Sequence, residues 1–326
     1  LQIKYVGETR DYGNANINFE DVMLGDYITL DMNGNYNLTN DYKLFFTLTN
    51  FGNLSVQFAI IGALAIGSTA VIICKEIDLS IGAIEGFCAV IAGICIVNFG
   101  IPWPVSILIA ISSGALVGAL NGCLVSIVGI PSFVVTLGSL GIVSGISLLI
   151  TGGRSVYGFP EAYQWIGQGD LFYIRSPILF TGLLLVFMHV VLKNTIFGLN
   201  IYAVGGNENS ANLVGISSLW TKFFSFLISG ASAGLAGVII SSRLNAANPT
   251  LGALDLLDAI AAIVIGGASL SGGIGTVIGT AGGVLLIVTI RNGLNLMGIN
   301  PFWQQTAIGL VILIAAIFDR IRDKSR

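Results

Sequence analysis

Charged residues are nearly absent from the long apolar stretches that fill this chain between about residues 54 and 318. Glycine and serine occur throughout these stretches, and the ionisable residues gather mainly in the gaps between them. Hydrocarbon offers no partner to a charged side chain or to an unpaired backbone amide, so such stretches are stable only as packed membrane helices. Only 10% of the residues are charged, well below the level of an ordinary soluble domain. The sequence therefore predicts an all-α integral membrane protein.

Most of the apolar segments match the thickness of a membrane. About 20 residues at about 1.5 Å each span a hydrocarbon core of about 30 Å. The segment at 258–270 is short and runs into a serine- and glycine-rich stretch, so we expect a half-helix buried among its neighbours. The nine predicted segments lie at about residues 54–74, 81–98, 105–128, 132–150, 177–193, 221–241, 258–270, 275–293 and 304–319.

Basic residues near the helix ends predict the orientation of the bundle. A cytoplasmic C-terminus, rich in basic residues from position 320, places the loop at about 194–220 inside and the N-terminal segment outside. The chain begins with leucine, and we expect an upstream helix or signal to be missing. Besides the tail, the basic residues expected inside are Lys75, Lys193 and Lys222, and those expected near the outer face are Lys43, Arg154, Arg175, Arg243 and Arg291.

The first 52 residues differ in composition from the rest. They hold three basic residues against seven acidic ones and are rich in Asn, Gly and Tyr, with turn signals around short β-prone pieces. Such a segment cannot span a membrane. We therefore predict two domains: residues 1–52 form a small, acidic and polar extracytoplasmic segment, and residues 53–326 form the transmembrane domain.

Two series of glycines indicate an internal duplication. Glycine lets membrane helices approach closely, so glycines spaced by four residues mark packing faces. A similar break follows each series, Gly129–Phe133 in the first half and Gly298–Phe302 in the second. The two helices run in opposite directions in the predicted topology, as inverted repeats require. Chance similarity between glycine-rich helices is the alternative. The predicted packing residues are Gly114, Gly118, Gly122, Gly275, Gly279 and Gly283.

The sequence shows no catalytic constellation. It has no Gly-x-x-x-x-Gly-Lys-Ser/Thr phosphate loop, its four cysteines lack metal-ligand spacing, and its single histidine lies near a helix end. Asp78 and Asp258 each start an apolar run, where a carboxylate caps a helix. Glu85 lies one turn into a segment, so it faces a polar cavity or the helix starts later than predicted. We therefore predict no catalytic residue, no metal and no cofactor in this chain.

A transporter without an ATP site and with few intramembrane acids needs an external source of energy. The predicted cytoplasmic loop offers a contact for a partner, because a double-glycine turn precedes Asn207, which can cap a short helix over about residues 208–214. Ala211, Leu213 and Val214 would enter a partner groove. A self-packed loop is the alternative. The predicted contact residues are Tyr202, Gly205, Gly206, Asn207, Glu208, Asn209, Ala211, Leu213 and Gly215.

A conduction path needs polar side chains inside the bundle, and several stand at helix breaks. Each of them could equally form a hydrogen bond between helices, which is the commoner role for polar residues in membranes. The predicted pathway residues are Ser80, Asn121, Ser132, Thr136, Asn292 and Gln304.

Seven short motifs, in order across most of the chain, carry a family resemblance. They are Ile77–Gly82, Asn121–Val125, Pro131–Gly138, Tyr202–Glu208, Leu257–Ala262, Gly266–Gly275 and Asn292–Leu296. With these motifs the chain resembles the permease subunits of bacterial ATP-binding cassette importers for monosaccharides such as ribose, galactose and xylose, in the branched-chain permease superfamily. The resemblance implies a multi-pass protein of the cytoplasmic (inner) membrane that carries a sugar and does not itself act as an enzyme.

The resemblance also implies partners. Such permeases work as a pair, homodimeric or heterodimeric, over cytoplasmic ATPase subunits that hold ATP and Mg²⁺, and a soluble sugar-binding protein supplies them from outside. Each subunit has about ten helices related as inverted repeats, substrate passes between the two subunits, and the loop around Tyr202–Ile216 docks onto the ATPase. Two features depart from the pattern. The segment before Leu44 has no counterpart, and Leu256 stands where an acidic residue is common, with Asp255 as its substitute.

Three hypotheses follow for the function. The first is the translocating subunit of an ATP-driven sugar importer. The second is a self-sufficient secondary transporter or facilitator for a small polar solute. The third is an interaction or sensor protein that transports nothing.

Overall fold

The structure is a computed structural model that describes residues 34–39, 42–46, 48–172, 174–300 and 303–311, with side chains from residue 52 onward. The basic C-terminal tail, most of the acidic N-terminal segment and the second half of the last predicted helix lie outside the described residues. The chain consists of two compact units, Leu1–Ser55 and Val56–Arg326.

The first unit contains a β-hairpin. Strand β1 (Gly34–Thr39) pairs antiparallel with strand β2 (Tyr42–Phe46), with Gly34 opposite Phe46 and an irregularity between Asn37 and Thr39. Short β-prone pieces around a turn-rich sequence explain this hairpin. The first helix, α1, begins at Leu48 and continues into the second unit.

The second unit is a helical bundle. Among the described residues, seven helices are long and apolar enough to cross a membrane, and a π-helical turn, Ile94–Asn98, extends one of them. The seven are α1 (Leu48–Ile73), α2 (Ile81–Gly93), α3 (Trp103–Ser126), α4 (Ser132–Thr151), α6 (Ser176–Asn194), α9 (Ser218–Leu244) and α11 (Val277–Leu296). The remaining helices are α5 (Glu161–Gln168), α7 (Ile196–Gly206), α8 (Glu208–Leu213), α10 (Asp255–Ile265) and a last helix, α12, over residues 303–311.

Helix α10 confirms the expectation of a half-helix. It has 11 residues, too few to cross a membrane, and most of its side chains are buried. Four short strands lie in the loops as two-residue pairs, β3 (Val156–Tyr157) with β6 (Ala246–Ala247) and β4 (Asp170–Leu171) with β5 (Ile174–Arg175).

The loops of the bundle gather at two opposite ends, named after the predicted orientation. At the inner end, the end of α1 contacts the loop after α10, since Gly273 N donates to Ile73 O at 2.8 Å. The loop after α1 contacts α9, since Lys222 pairs with Glu76 at 2.8 Å. At the outer end, α5 packs against the end of α9, where Gly167 N donates to Ser242 Oγ at 2.7 Å. Lys75 and Lys222 thus lie at one end, and Arg175, Arg243 and Arg291 lie at the other.

Glycines bring the backbones of neighbouring helices into contact. The first predicted series, Gly114, Gly118 and Gly122, lies on α3 against the backbone of α9, where an added Cβ would overlap carbonyl oxygens or Cα atoms. In the second series, Gly279 and Gly283 face α10 in the same way. Gly275 differs, because it lies before α11 with a positive φ of 157° and faces Ile73 and Ala268. The second series therefore has two glycines on its helix rather than three.

Candidate coupling surface

Helix α7 is fixed to the inner end of the bundle. Its first turn is capped by Thr195, whose Oγ1 accepts from Gly198 N at 3.1 Å. Tyr202 donates its hydroxyl to Gly275 O at 2.8 Å, and Gly205 lies so close to Ile73 O that a Cβ would overlap that oxygen. The predicted double-glycine turn is wrong, since α7 continues through Gly206. Glycine is needed at position 205 for a close approach and not for a turn.

Helix α8 is short and capped at both ends. Asn207 is its N-cap, as predicted, because Asn207 Oδ1 accepts from Ser210 N at 3.0 Å. After the helix, Gly215 adopts a positive φ of 88° and its N donates to Asn212 O at 3.1 Å. Asn212 Oδ1 in turn accepts from Ser218 N at 3.1 Å, at the start of α9. The predicted helix at about 208–214 is therefore confirmed to within one residue.

The apolar residues of α8 face two different directions. Ala211 is only 4% exposed, so it packs inside the chain and cannot enter a partner groove as predicted. Leu213 and Val214 are 87% and 76% exposed and form an apolar pair at the C-terminal end of the helix. Asn209 is also exposed. The surface open to a partner is therefore narrower than the sequence predicted.

Lys222 of α9 links α8 to the loop after α1 by two ion pairs. Its Nζ lies 2.7 Å from Glu208 Oε2 and 2.8 Å from Glu76 Oε1. Burial on its own would raise the pKa of Glu208, but the hydrogen bond and charge of Lys222 outweigh it and lower this pKa below its ordinary value. Sequence reasoning used Lys222 only to set the orientation and missed Glu76. Their opposite charges at neighbouring helix ends were the available signal.

Two cavities flank this ion-paired cluster. One, of about 330 Å³, is lined by the loop after α1, the end of α7 and the first residues of α8. The other, of about 310 Å³, lies between the loop joining α3 to α4 and the start of α9. Glu76 and Glu208 line both of them. Helix α8 is therefore held by the Glu76–Lys222–Glu208 ion pairs, with a cavity on either side of them.

A buried hydrogen-bond network begins two residues after Glu76. Asp78 Oδ1 accepts from Ser80 N at 3.0 Å and Ser80 Oγ at 2.6 Å. The predicted cap is therefore right for one amide only, that of the residue before α2, and within the described part of the chain no side chain caps the first turn of the helix itself. Asp78 Oδ2 also accepts from Ser229 Oγ at 2.9 Å. Asn121 Nδ2 donates to Ser80 Oγ at 2.9 Å, and Ser139 Oγ donates to Asn121 Oδ1. The network thus joins α2, α3, α4 and α9.

Two further pathway residues extend this network. Ser132 Oγ accepts from Ile77 N at 3.2 Å, and Thr136 Oγ1 donates to Ser132 O at 2.8 Å and contacts Ile77 O at 3.2 Å. The structure therefore brings together four of the six predicted pathway residues, all of them buried. Their bonds tie helix ends to one another, which favours the hydrogen-bonding alternative, and a role in conduction stays a prediction.

The other two predicted pathway residues lie near the end of α11. Gln304 Nε2 donates to Asn295 Oδ1 at 2.7 Å and to Ile299 O at 2.8 Å, which closes the turn between α11 and α12. Asn292 is half-buried on α11. Gln304 therefore fastens a loop, and its role in conduction also stays a prediction.

Two acidic residues depart from what the sequence predicted. Asp258 does not cap a helix; it is buried at 1% exposure and pairs with Arg291, whose Nη2 lies 2.7 Å from Asp258 Oδ2. Glu85 does not lie before its helix, because α2 starts at Ile81. Its carboxylate is fully buried against the turn at Gly252, and among the described residues neither oxygen has a hydrogen-bond partner.

Comparison with known proteins identifies the family. The family described as branched-chain amino acid transport system / permease component matches residues 50–316. The ribose import permease protein of Bacillus subtilis (strain 168) is 40% identical over 273 residues, which cover 83% of this chain and 84% of that protein. The ribose import permease protein of Haemophilus influenzae is 37% identical over 279 residues, 84% of this chain and 86% of that protein.

A third relative belongs to another transport system. The xylose transport system permease protein of Escherichia coli (strain K12) is 34% identical over 346 residues, which cover 85% of this chain and 88% of that protein. No solved structure gives a significant match. The match to the family and the seven apolar helices together confirm the resemblance seen in the motifs. This chain belongs to the family of permease components of branched-chain amino acid transport systems and is a multi-pass protein of the cytoplasmic membrane.

Proposed function

We propose that this chain is the membrane-spanning subunit of an ATP-binding cassette importer that translocates a monosaccharide. The observation that carries the proposal is the exposed pair Leu213–Val214 at the end of a capped helix that stands on the Glu76–Lys222–Glu208 ion pairs. The sugar class is supported by the relatives, whose names specify import of ribose or transport of xylose.

The exposed pair suits a helix that binds in the groove of a partner. Burying an aliphatic side chain contributes about 1.5–3 kcal/mol, so two of them supply useful affinity from a very short helix. Asn207 at the N-terminus and Gly215 beyond the C-terminus keep the helix formed without the partner, so little ordering entropy opposes docking. The partner is an ATPase subunit on the cytoplasmic side, which holds ATP and Mg²⁺ and performs the hydrolysis.

The contacts below α8 provide a route for the motion of the partner. A displacement of α8 moves Glu208, and Lys222 passes the displacement to Glu76 in the loop after α1. Two residues further, Asp78 holds the start of α2 and a serine of α9. ATP binding by the partner would thereby rock whole helices between inward and outward access, as inverted repeats permit.

Two further partners complete the proposal. A second permease copy, identical or homologous, shares the translocation path, and an extracytoplasmic sugar-binding protein delivers the substrate to the outer end. The permease chain contributes no catalytic residue and no cofactor of its own.

Reconstitution tests the proposal. Proteoliposomes that contain the permease, the ATPase and the binding protein should accumulate D-ribose or D-xylose only with ATP inside the compartment that holds the ATPase. Vesicles that contain the permease alone should accumulate neither. Uphill accumulation by the permease alone would establish a secondary transporter and defeat the proposal.

The variant Leu213→Asp tests the docking surface in the same system. It should weaken the binding of the ATPase about tenfold or more, because one apolar contact is lost and a charge is desolvated. Leu171→Asp, at an exposed leucine of the outer end, is the matched control and should leave the affinity unchanged. Equal ATPase binding and equal ATP-driven uptake by Leu213→Asp and the control would rule out this surface.

A further inference from the structure

A cavity of about 230 Å³ opens at the outer end of the second unit. Four helices line it: α1 through Gln57, Ile60 and Ile61, α9 through Ile240 and Arg243, α10 through Asp255, and α11 through Arg291. Pockets for drug-sized ligands hold about 300–1,000 Å³, so this one fits a smaller solute. It lies far from the coupling surface, and none of its residues takes part in the network around Asp78.

The polar groups that line the cavity have unused hydrogen-bonding capacity. Gln57 Oε1 is buried, and among the described residues it has no hydrogen-bond partner. Among the described residues, the guanidinium of Arg243 forms no hydrogen bond or ion pair. The hydrogen bond between Arg243 and Gln168 uses the backbone carbonyl of Arg243, which accepts from Gln168 Nε2. Asp255 Oδ1 is 3.8 Å from Arg291 Nη1, beyond hydrogen-bond distance. Buried polar groups normally have hydrogen-bond partners, so these side chains have capacity to bind a polar ligand.

The charges of the cavity balance one another. Two guanidinium groups, Arg243 and Arg291, and one carboxylate, Asp255, line it. Arg291 is already paired with the buried Asp258 at 2.7 Å, so Arg243 and Asp255 remain as opposite charges for a ligand. A phosphate or carboxylate ligand would need a net positive site. A neutral solute with several hydroxyl groups needs donors and acceptors side by side, which this cavity supplies.

We infer that this cavity binds a neutral polyhydroxylated solute of monosaccharide size. It would be a transient binding site for the substrate within a single permease chain, which we call the station. The inference rests on the proposed function for its choice of sugar. Hydroxyl groups donate to Gln57 Oε1 and Asp255, and they accept from Arg243. The isoleucines contact the apolar C–H face of the ring. Arg291 holds Asp255 in place and is itself fixed by Asp258.

The site explains how substrate can be received at the outer end without tight binding. Its donors and acceptors come from four different helices, so relative movement of the helices separates them. Such a site binds the solute while the four helices are close together. It releases the solute when α1 and α9 move apart from α10 and α11.

Direct binding to the full chain tests the inference. The permease alone is placed in lipid nanodiscs, and saturation-transfer NMR measures D-ribose and D-xylose as probes without ATPase or ATP. Wild type should give a saturable signal for at least one of the two pentoses. Arg243→Met should weaken that binding about tenfold or more, because a charged donor to a hydroxyl is lost. Arg243 has no ion pair to break among the described residues, so the variant should keep its thermal stability.

Arg175→Met is the matched control. It removes an arginine from the same end, where an exposed pair with Asp170 at 3.3 Å lies outside the cavity, and it should bind the pentoses like wild type. No saturable signal in wild type, or equal binding by Arg243→Met and wild type, would overturn the inference. Tighter binding of ribose 5-phosphate than of ribose would overturn the choice of a neutral ligand. These outcomes are independent of ATP-driven uptake, so failure of the station and failure of the importer proposal are separable.

Discussion

The two ends of the bundle use their charges in opposite ways. At the inner end, Lys222 satisfies two carboxylates at 2.7 and 2.8 Å, and the helix that it holds exposes the apolar pair Leu213 and Val214 at its C-terminal end. At the outer end, Asp258 pairs with Arg291 at 2.7 Å, while among the described residues Gln57 Oε1 and the guanidinium of Arg243 have no hydrogen-bond partner beside a cavity. A satisfied cluster transmits force as a unit, whereas an unsatisfied one has capacity left for a ligand. The contrast therefore suits the two proposed roles, coupling at the inner end and solute binding at the outer end.

Removal of Arg291 should have the largest effect on stability. Arg291→Met leaves the carboxylate of Asp258 buried at 1% exposure without its partner, and breaking such a pair costs about 3–5 kcal/mol. The midpoint of thermal unfolding in detergent should fall sharply. Arg175→Met breaks an exposed ion pair and an exposed hydrogen bond to Gln168 O, and should change the free energy of unfolding by about 1 kcal/mol or less.

A double variant separates the charge from the packing. Asp258→Leu with Arg291→Met removes both charges, so it should recover much of the stability that Arg291→Met loses. If Arg291→Met unfolds at the same temperature as Arg175→Met, then the outer pair is not a closed structural clamp. In that case the contrast between the two ends fails.

The glycines at the end of α7 provide a second test, at the inner end. Gly205→Ala places a methyl group onto Ile73 O and Gly273 N, and overpacking of this kind costs about 1–3 kcal/mol or more. Gly206→Ala meets nothing within 4 Å and should leave the stability within about 0.5 kcal/mol of wild type. Thermal unfolding and ATPase binding of the two variants check this. Equal loss in both, or in neither, would mean that α7 is not seated tightly on the loop after α1.

Hydropathy predicted the membrane helices well, because a helix that crosses a membrane needs an apolar run of a set length. The seven long helices and the short α10 all fall where apolar runs of suitable length fall. The cap at Asn207 was also predictable, because capping depends on residues close in sequence. The packing of the α3 glycines against α9 could not be predicted, because glycine spacing indicates a packing face but not which helix packs against it.

The errors have the same origin. Asp258 stands at a helix start like a cap, but a guanidinium from α11 reaches it and outweighs the local role. The double glycine at the end of α7 has the composition of a turn, yet the close approach of Ile73 O requires glycine within a helix. The sequence predicted that Ala211 contacts a partner, but neighbouring elements bury its side chain. Local patterns fail where a distant element supplies the deciding contact.

At the inner end, acidification should produce the smallest effect. The pKa of Glu208 is lowered in the folded protein, so its pair with Lys222 stabilises the fold above the ordinary pKa of the carboxyl group, about 4.3, and this contribution is lost as the pH falls through the lower, folded-state value. Because Glu208 is 45% exposed, solvent screening limits the effect to about 1 kcal/mol or less.

Hydrogen exchange of the amides of α8 measures this effect locally. After correction for the intrinsic exchange rate, their protection should fall as the pH drops below the ordinary carboxyl pKa of about 4.3, while the amides of α7, held by Tyr202 and by apolar packing, should keep theirs. Glu208→Gln cannot ionise, so its α8 should be less protected at pH 7 and should show no further loss on acidification. If α8 in Glu208→Gln titrates like wild type, then Glu208 is not the group that fastens this helix, and the transmission through Lys222 must begin elsewhere.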